Sequence, residues 1–141
     1  MARYEWGLLC ENAMVDSSSN NLSLINIIEQ INVLTTPVVI PQRFFLVTYW
    51  TRERPITEEE TVQYKISIQS EDTLGEPEFE TMITMRIPPD KEHIRNLCRL
   101  SGLPIKSVGR LLIRIQQPVS GRPEESKDVG RVEVLIKTGA P

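Results

Sequence analysis

One constraint dominates this sequence: apolar side chains at every second position. In Val62-Gln63-Tyr64-Lys65-Ile66-Ser67-Ile68-Gln69, the residues Val62, Tyr64, Ile66 and Ile68 share one parity and Gln63, Lys65, Ser67 and Gln69 the other. Successive side chains of an extended chain point to opposite faces, so this pattern predicts a half-buried β-strand. The same period recurs at Phe79, Thr81, Ile83, Met85 and Ile87, at Leu111, Ile113 and Ile115, and at Val132, Val134 and Ile136. Between Arg43 and Thr51 the run Phe44-Phe45-Leu46-Val47-Thr48-Tyr49-Trp50 is apolar on both parities. That predicts a central strand covered on both faces.

Elsewhere the pattern admits alternatives. Tyr4, Trp6, Leu8 and Cys10 share a parity, and the polar cluster Asp16 to Asn21 leads into Leu22-Ser23-Leu24-Ile25-Asn26-Ile27-Ile28. A β-hairpin fits this stretch, and its isoleucine density weighs against a helix over Leu24 to Ile31. Pro37 and Pro41 bracket Val38-Val39-Ile40 and predict a crossing loop or an edge. From Pro88 to Pro104 the local signals favour a helix: Asp90 as N-cap, Glu92 in the first turn, and Ile94, Leu97 and Leu100 at helical spacing. Alternation through Ile94, Cys98 and Leu100 allows a strand instead. Glu71 to Pro77 and Pro118 to Gly130 read as polar loops.

With 141 residues, 40% apolar and 25% charged, the chain has the composition of an ordinary folded domain and predicts one domain over 1–141. A chain of this size can bury a sufficient core without disulfide or metal. Sixteen Lys plus Arg against 19 Asp plus Glu leave a charge of −3, which argues against a nucleic-acid partner. Met1 to Gly7 lack a secretory pattern, and no apolar run approaches the roughly 20 residues of a membrane span. Two cysteines are too few for a disulfide scaffold, so the expected compartment is the cytoplasm, with thiols reduced.

Candidate chemistry is sparse. His93 is the only histidine; as a strand, the segment sends His93 and Cys98 to opposite faces, and as a helix it aligns them poorly. Cys10 and Cys98 sit among apolar neighbours, the setting of a buried, inert thiol. Glu71, Asp72, Glu76 and Glu78 in one loop and Glu124, Glu125 and Asp128 in another supply carboxylates for calcium, but Arg122 and Lys127 interrupt the second set. Arg43, Arg52 and Arg54 flank Tyr49 and Trp50, the one place where cations and aromatics suited to stacked bases lie close in sequence. Trp6, Tyr49 and Trp50 offer rings for sugars. Glycine-rich phosphate loops and the nucleophile-elbow motif do not occur. No catalytic, cofactor or metal residue is therefore assigned.

Leu9-Cys10-Glu11-Asn12-Ala13, Asn21 to Ile31, Pro37, Pro41, Phe44-Phe45-Leu46-Val47, Leu100-Ser101-Gly102-Leu103-Pro104-Ile105 and Gly109 to Ile115 carry a resemblance across most of the chain. It resembles a family of small uncharacterised bacterial proteins described as a domain of unknown function. The resemblance implies a β-sandwich of roughly immunoglobulin-like type, an extended strand through Arg95 to Leu100 and a turn at Gly102-Leu103-Pro104. The expected fold is thus all-β, a single immunoglobulin-like sandwich of seven to eight mostly antiparallel strands, with room for one short helical turn near residues 90–94. The expected function is a non-enzymatic protein-interaction module, an adaptor or accessory subunit whose partner is another protein. A sandwich binding calcium, membrane or carbohydrate is the alternative, and an enzyme of unknown class the second alternative.

Overall fold

A computed structural model describes residues 2–71, 76–119 and 121–139, with the side chain of Pro123 excepted. Nine strands run through the described residues: β1 (Arg3–Val15), β2 (Leu22–Ile27), β3 (Gln30–Val33), β4 (Val38–Thr51), β5 (Glu60–Ser70), β6 (Phe79–Ile87), β7 (His93–Ile105), β8 (Gly109–Val119) and β9 (Arg122–Thr138). They form two packed sheets, β2-β1-β4-β7 and β3-β9-β8-β5-β6. Every pairing is antiparallel except β3 with β9, which run parallel. The expected sandwich is correct, with nine strands where seven to eight were expected.

Several local expectations yield to pairing. No helical turn forms near 90–94: Asp90 takes a left-handed φ of 70°, the Arg52 amide donates to the Glu92 carbonyl, and β7 begins at His93. Ladder bonds to β4 outweigh the cap and spacing signals, since a chain with a partner along its whole length does not need an internal ladder. The expected turn at Gly102-Leu103-Pro104 is part of β7, which runs on to Ile105 with Gly102 at a φ of 101°. Of the two expectations for Val38-Val39-Ile40, the edge holds and the loop does not: these residues pair with β7 alone, since the ladder with β1 ends at Phe45. The register of β4 against β7 shifts between Ile40 and Arg43, and that irregularity absorbs the proline. The polar stretch after Pro118 is not a loop either: β8 and β9 stay paired as far as Val119 with Arg122.

The core lies between the two sheets. Trp50 is its centre, with Tyr4 edge-on at 5.4 Å and Tyr64 at 4.9 Å. Burying Trp50 and Tyr64 brings polar atoms inside, and each finds a partner. Trp50 Nε1 donates to Thr48 Oγ1 at 2.9 Å, the Tyr64 hydroxyl lies 3.2 Å from Thr48 Oγ1, and it donates to Asn96 Oδ1 at 2.7 Å. Burial pushes the Tyr64 phenol up to about 12.

In β1, Tyr4 pairs with Trp50 and Trp6 with Tyr49, so Glu5 is an extra residue, a β-bulge. The shared parity of Tyr4 and Trp6 therefore does not put them on one face: Tyr4 turns into the core and Trp6 to the outside. The Tyr4 ring lies so close over Gly130 of β9 that a Cβ there would collide with it. This contact joins the first strand to the last across the sandwich.

Two outcomes follow from the core. Gly130→Ala should lower stability by about 1–3 kcal/mol through overpacking, measured by urea unfolding, and most of that cost should vanish in a Tyr4→Ala background; equal cost in both backgrounds would refute the contact. Tyr64 stays protonated in the folded state above pH 10, where the unfolded phenol ionises, so stability should fall between pH 10 and 12. The loss attributable to Tyr64 is about 2–3 kcal/mol, read as the difference between wild type and Tyr64→Phe.

Candidate functional site

The β-sheet alternation that fills the core also builds the outer face of the four-stranded sheet. From β4 it displays Phe45, Val47 and Tyr49, from β1 beyond the bulge Trp6, Leu8 and Cys10, and from β7 His93, Arg95, Leu97 and Arg99. Trp6 and Tyr49 stack with centroids 5.4 Å apart and planes 8° apart, and Tyr49 and His93 stack at 5.3 Å and 23°. Because β4 lies between β1 and β7, the Tyr49 ring is flanked on both sides. Polar groups fix the rim of this ladder. His93 Nδ1 is 3.0 Å from Thr51 Oγ1. Hydrogen bonds from the Arg3 and Thr51 side chains hold the Glu5 carboxyl below its usual range. At the other end of the face the Arg99 guanidinium lies 5.6 Å from the Phe45 ring centroid, a cation–π contact.

The β1–β2 hairpin doubles back over this face. A straight strand from Trp6 to Val15 would carry the turn roughly 30 Å away, yet Arg95, in the row of Trp6 and Tyr49, donates from Nη2 to the Asn20 carbonyl at 2.9 Å and to Asn20 Oδ1 at 3.1 Å. Only a hairpin folded back across the sheet brings Asn20 there. It explains why Val47 and Cys10, which point away from the core, are both 0% exposed. Ala13, Leu22 and Leu24 are the half-buried face of the hairpin, whereas Met14, Ile25 and Ile27 are exposed on its other side. Between the turn and the sheet a cleft of 340 Å³ remains, lined by Asn20, Tyr49, Pro88, Lys91, His93 and Arg95 among others.

The candidate residues separate accordingly. Trp50 is at the centre of the core and reaches neither bases nor sugars, and the ring beside Tyr49 is Trp6. Arg52 is a carbonyl clamp: Nε donates to Lys91 O at 2.6 Å, Nη1 to Pro55 O and Glu58 O at 2.7 Å each, and Nη2 to Pro88 O at 2.7 Å. Arg43 is exposed, and Arg54 pairs with Glu58 at 3.5 Å. His93 and Cys98 lie on opposite faces of β7, and burial pushes the Cys98 and Cys10 thiols up. Of the carboxylates considered for calcium, Asp72 lies outside the described residues, Glu71 sits 3.9 Å from Arg110, Glu125 pairs with Arg122 at 3.6 Å, and Glu76 and Glu124 are exposed. Burial raises the Asp128 carboxyl, but hydrogen bonds from Arg114 and Gln116 outweigh it and hold the group below its usual range. Among the described residues, no three of His, Cys, Asp and Glu gather where a metal ion would be held.

These observations define a class, an all-β sandwich whose four-stranded sheet turns a ring ladder, a folded-back hairpin and a long edge strand outward. The sequence model of DUF6941, a family of unknown function, matches residues 5–127, and the chain belongs to that family. A search of curated proteins finds no match. Among the described residues no helix is long and apolar enough to cross a membrane.

The Arg95–Asn20 bonds are the pin of the hairpin turn. Arg95→Ala should speed limited proteolysis and amide exchange at Asp16 to Asn21 severalfold, while the urea midpoint reports a loss of only about 1 kcal/mol. Unchanged exchange in the turn would show that apolar packing alone holds it.

Proposed function

We propose that this chain is a non-enzymatic protein-interaction module, an adaptor or accessory subunit, that docks a partner protein on the outer face of its four-stranded sheet. The carrying observation is apolar exposure: Trp6, in the Trp6–Tyr49–His93 ladder, is 37% exposed, and Met14, Ile25 and Ile27, on the outward side of the hairpin that covers this sheet, are 50%, 44% and 48% exposed. Rings already held by their neighbours lose little freedom on binding, and aromatic and methionine side chains are enriched in protein interfaces.

Other readings have less support. A sugar needs an open ring face, and Tyr49 has a ring on either side, which leaves the free side of Trp6 alone. For an enzyme, the sole histidine is engaged by Thr51 and both thiols are pushed toward the inert form. Against nucleic acid stand the charge of −3 and an Arg52 already committed to four carbonyls. A cytoplasm is the setting that fits two cysteines left unpaired.

Affinity capture from the native cell should recover a stoichiometric protein with the wild-type chain. Recovery should fall at least about tenfold with Trp6→Ala and with the double variant Ile25→Glu/Ile27→Glu, both checked for native unfolding curves. A partner retained by both variants, or a small molecule in place of a protein, would sink the reading.

A further inference from the structure

β7 is an edge strand, and the pattern of its free edge follows from one bond. The Arg52 amide donates to the Glu92 carbonyl, and hydrogen-bonded pairs alternate along an antiparallel ladder. With Trp50 opposite Ile94 and Leu46 opposite Cys98, the even residues Ile94, Asn96, Cys98 and Leu100 direct their N–H and C=O groups to β4. His93, Arg95, Leu97, Arg99 and Ser101 direct theirs outward. The same five residues carry the outer-face side chains, so backbone groups and side-chain specificity coincide on one row.

That row has a charge pattern. Arg95 and Arg99 flank Leu97, and among the described residues neither has a carboxylate within ion-pair distance. Arg95 is bonded to the neutral Asn20 and Arg99 lies over Phe45, so both charges are positioned without being neutralised. Antiparallel pairing of two copies about Leu97 would set Arg95 of one opposite Arg99 of the other. Like charges directly opposite are destabilising, and charge on an edge strand is a usual guard against self-association. Beside the edge, where β7 faces β6, lies an apolar cleft of 430 Å³ lined by Val39, Ile68, Phe79, Leu100, Gly102 and Pro104 among others.

We propose that the β7 edge accepts an extended segment of a partner protein as a fifth strand. Two acidic residues of that segment, four apart with an apolar residue midway, face Arg95 and Arg99 across Leu97. This rests on the protein-interaction reading and names the partner's chemistry. The acid-x-apolar-x-acid pattern reads the same in both directions, so parallel and antiparallel addition both satisfy it. Inward-facing side chains of the added strand enter the cleft beside Phe79, and main-chain bonds supply the affinity, as in other cases of strand addition.

The test uses the full chain and a fluorescein-labelled peptide, Ser-Thr-Glu-Val-Val-Val-Glu-Thr-Ser, against the same peptide with lysine at both glutamates. Anisotropy should show the acidic peptide bound at least tenfold tighter, with slowed amide exchange at Arg95, Leu97 and Arg99. In Arg95→Glu/Arg99→Glu the preference should reverse. Leu97→Pro removes an outward N–H without breaking the β4 ladder and should weaken the acidic peptide at least tenfold; if that variant unfolds, the charge reversal alone decides. Equal binding of the two peptides, no binding of the acidic one, or an unreversed preference would overturn the proposal. So would a dimer in sedimentation that Arg95→Glu/Arg99→Glu dissolves. Any of these would leave the protein-interaction reading intact so long as Trp6→Ala and Ile25→Glu/Ile27→Glu still lose the captured partner.

Discussion

A single extra residue in the first strand decides how the two faces of this sandwich differ. Without the bulge at Glu5, Tyr4 and Trp6 would point the same way, and either the core would lack the ring that packs on Trp50 or the outer face would lack the ring that stacks on Tyr49. With it, one short stretch supplies both. Tyr4 closes the sandwich against Gly130, and Trp6 begins the row that ends at His93 on the edge strand. The bulged residue also serves the rim, since the Glu5 carboxylate ties Arg3 to Thr51 and hence to His93.

At the same end of the molecule, two side chains replace secondary structure. The segments after β4 and before β7 have carbonyls with no ladder to join, and the Arg52 guanidinium gathers four of them. Glu60, buried at the start of β5, accepts the Arg54 amide at 2.7 Å and the Glu53 amide at 3.2 Å. One planar cation and one carboxylate therefore satisfy both polarities of loop backbone that would otherwise need water.

How much of this was legible in the sequence depended on whether the signal was local. Period-two alternation placed β5, β6, β8 and the second half of β9, and the double-parity run Phe44 to Trp50 correctly announced a strand covered on both faces. What covers it was not legible: the outward Val47 is buried by the chain's own hairpin, and the bond that reveals this, Arg95 to Asn20, spans β7 and the first turn. The bulge left no trace, because bulges arise from pairing partners and Glu5 is an unremarkable residue for an exposed strand. Near Asp90 the helix signals were real but weak, each worth a fraction of what a continuous ladder provides. For stacked bases Tyr49 is grouped with Trp50, its neighbour in sequence, whereas Trp6, named with both only for sugars, is its neighbour in space.

The parallel pairing of β3 with β9 has a consequence for the order in which the chain can be completed during synthesis. Gln30–Val33 emerges early, but its only ladder partner among the described residues is Leu135–Thr138. Until β9 leaves the ribosome, β3 and the β9-facing edge of β8 have no ladder partner, while β1, β2 and β4 can already associate. The five-stranded sheet is therefore complete only when β9 inserts between β3 and β8, after every other strand has been made.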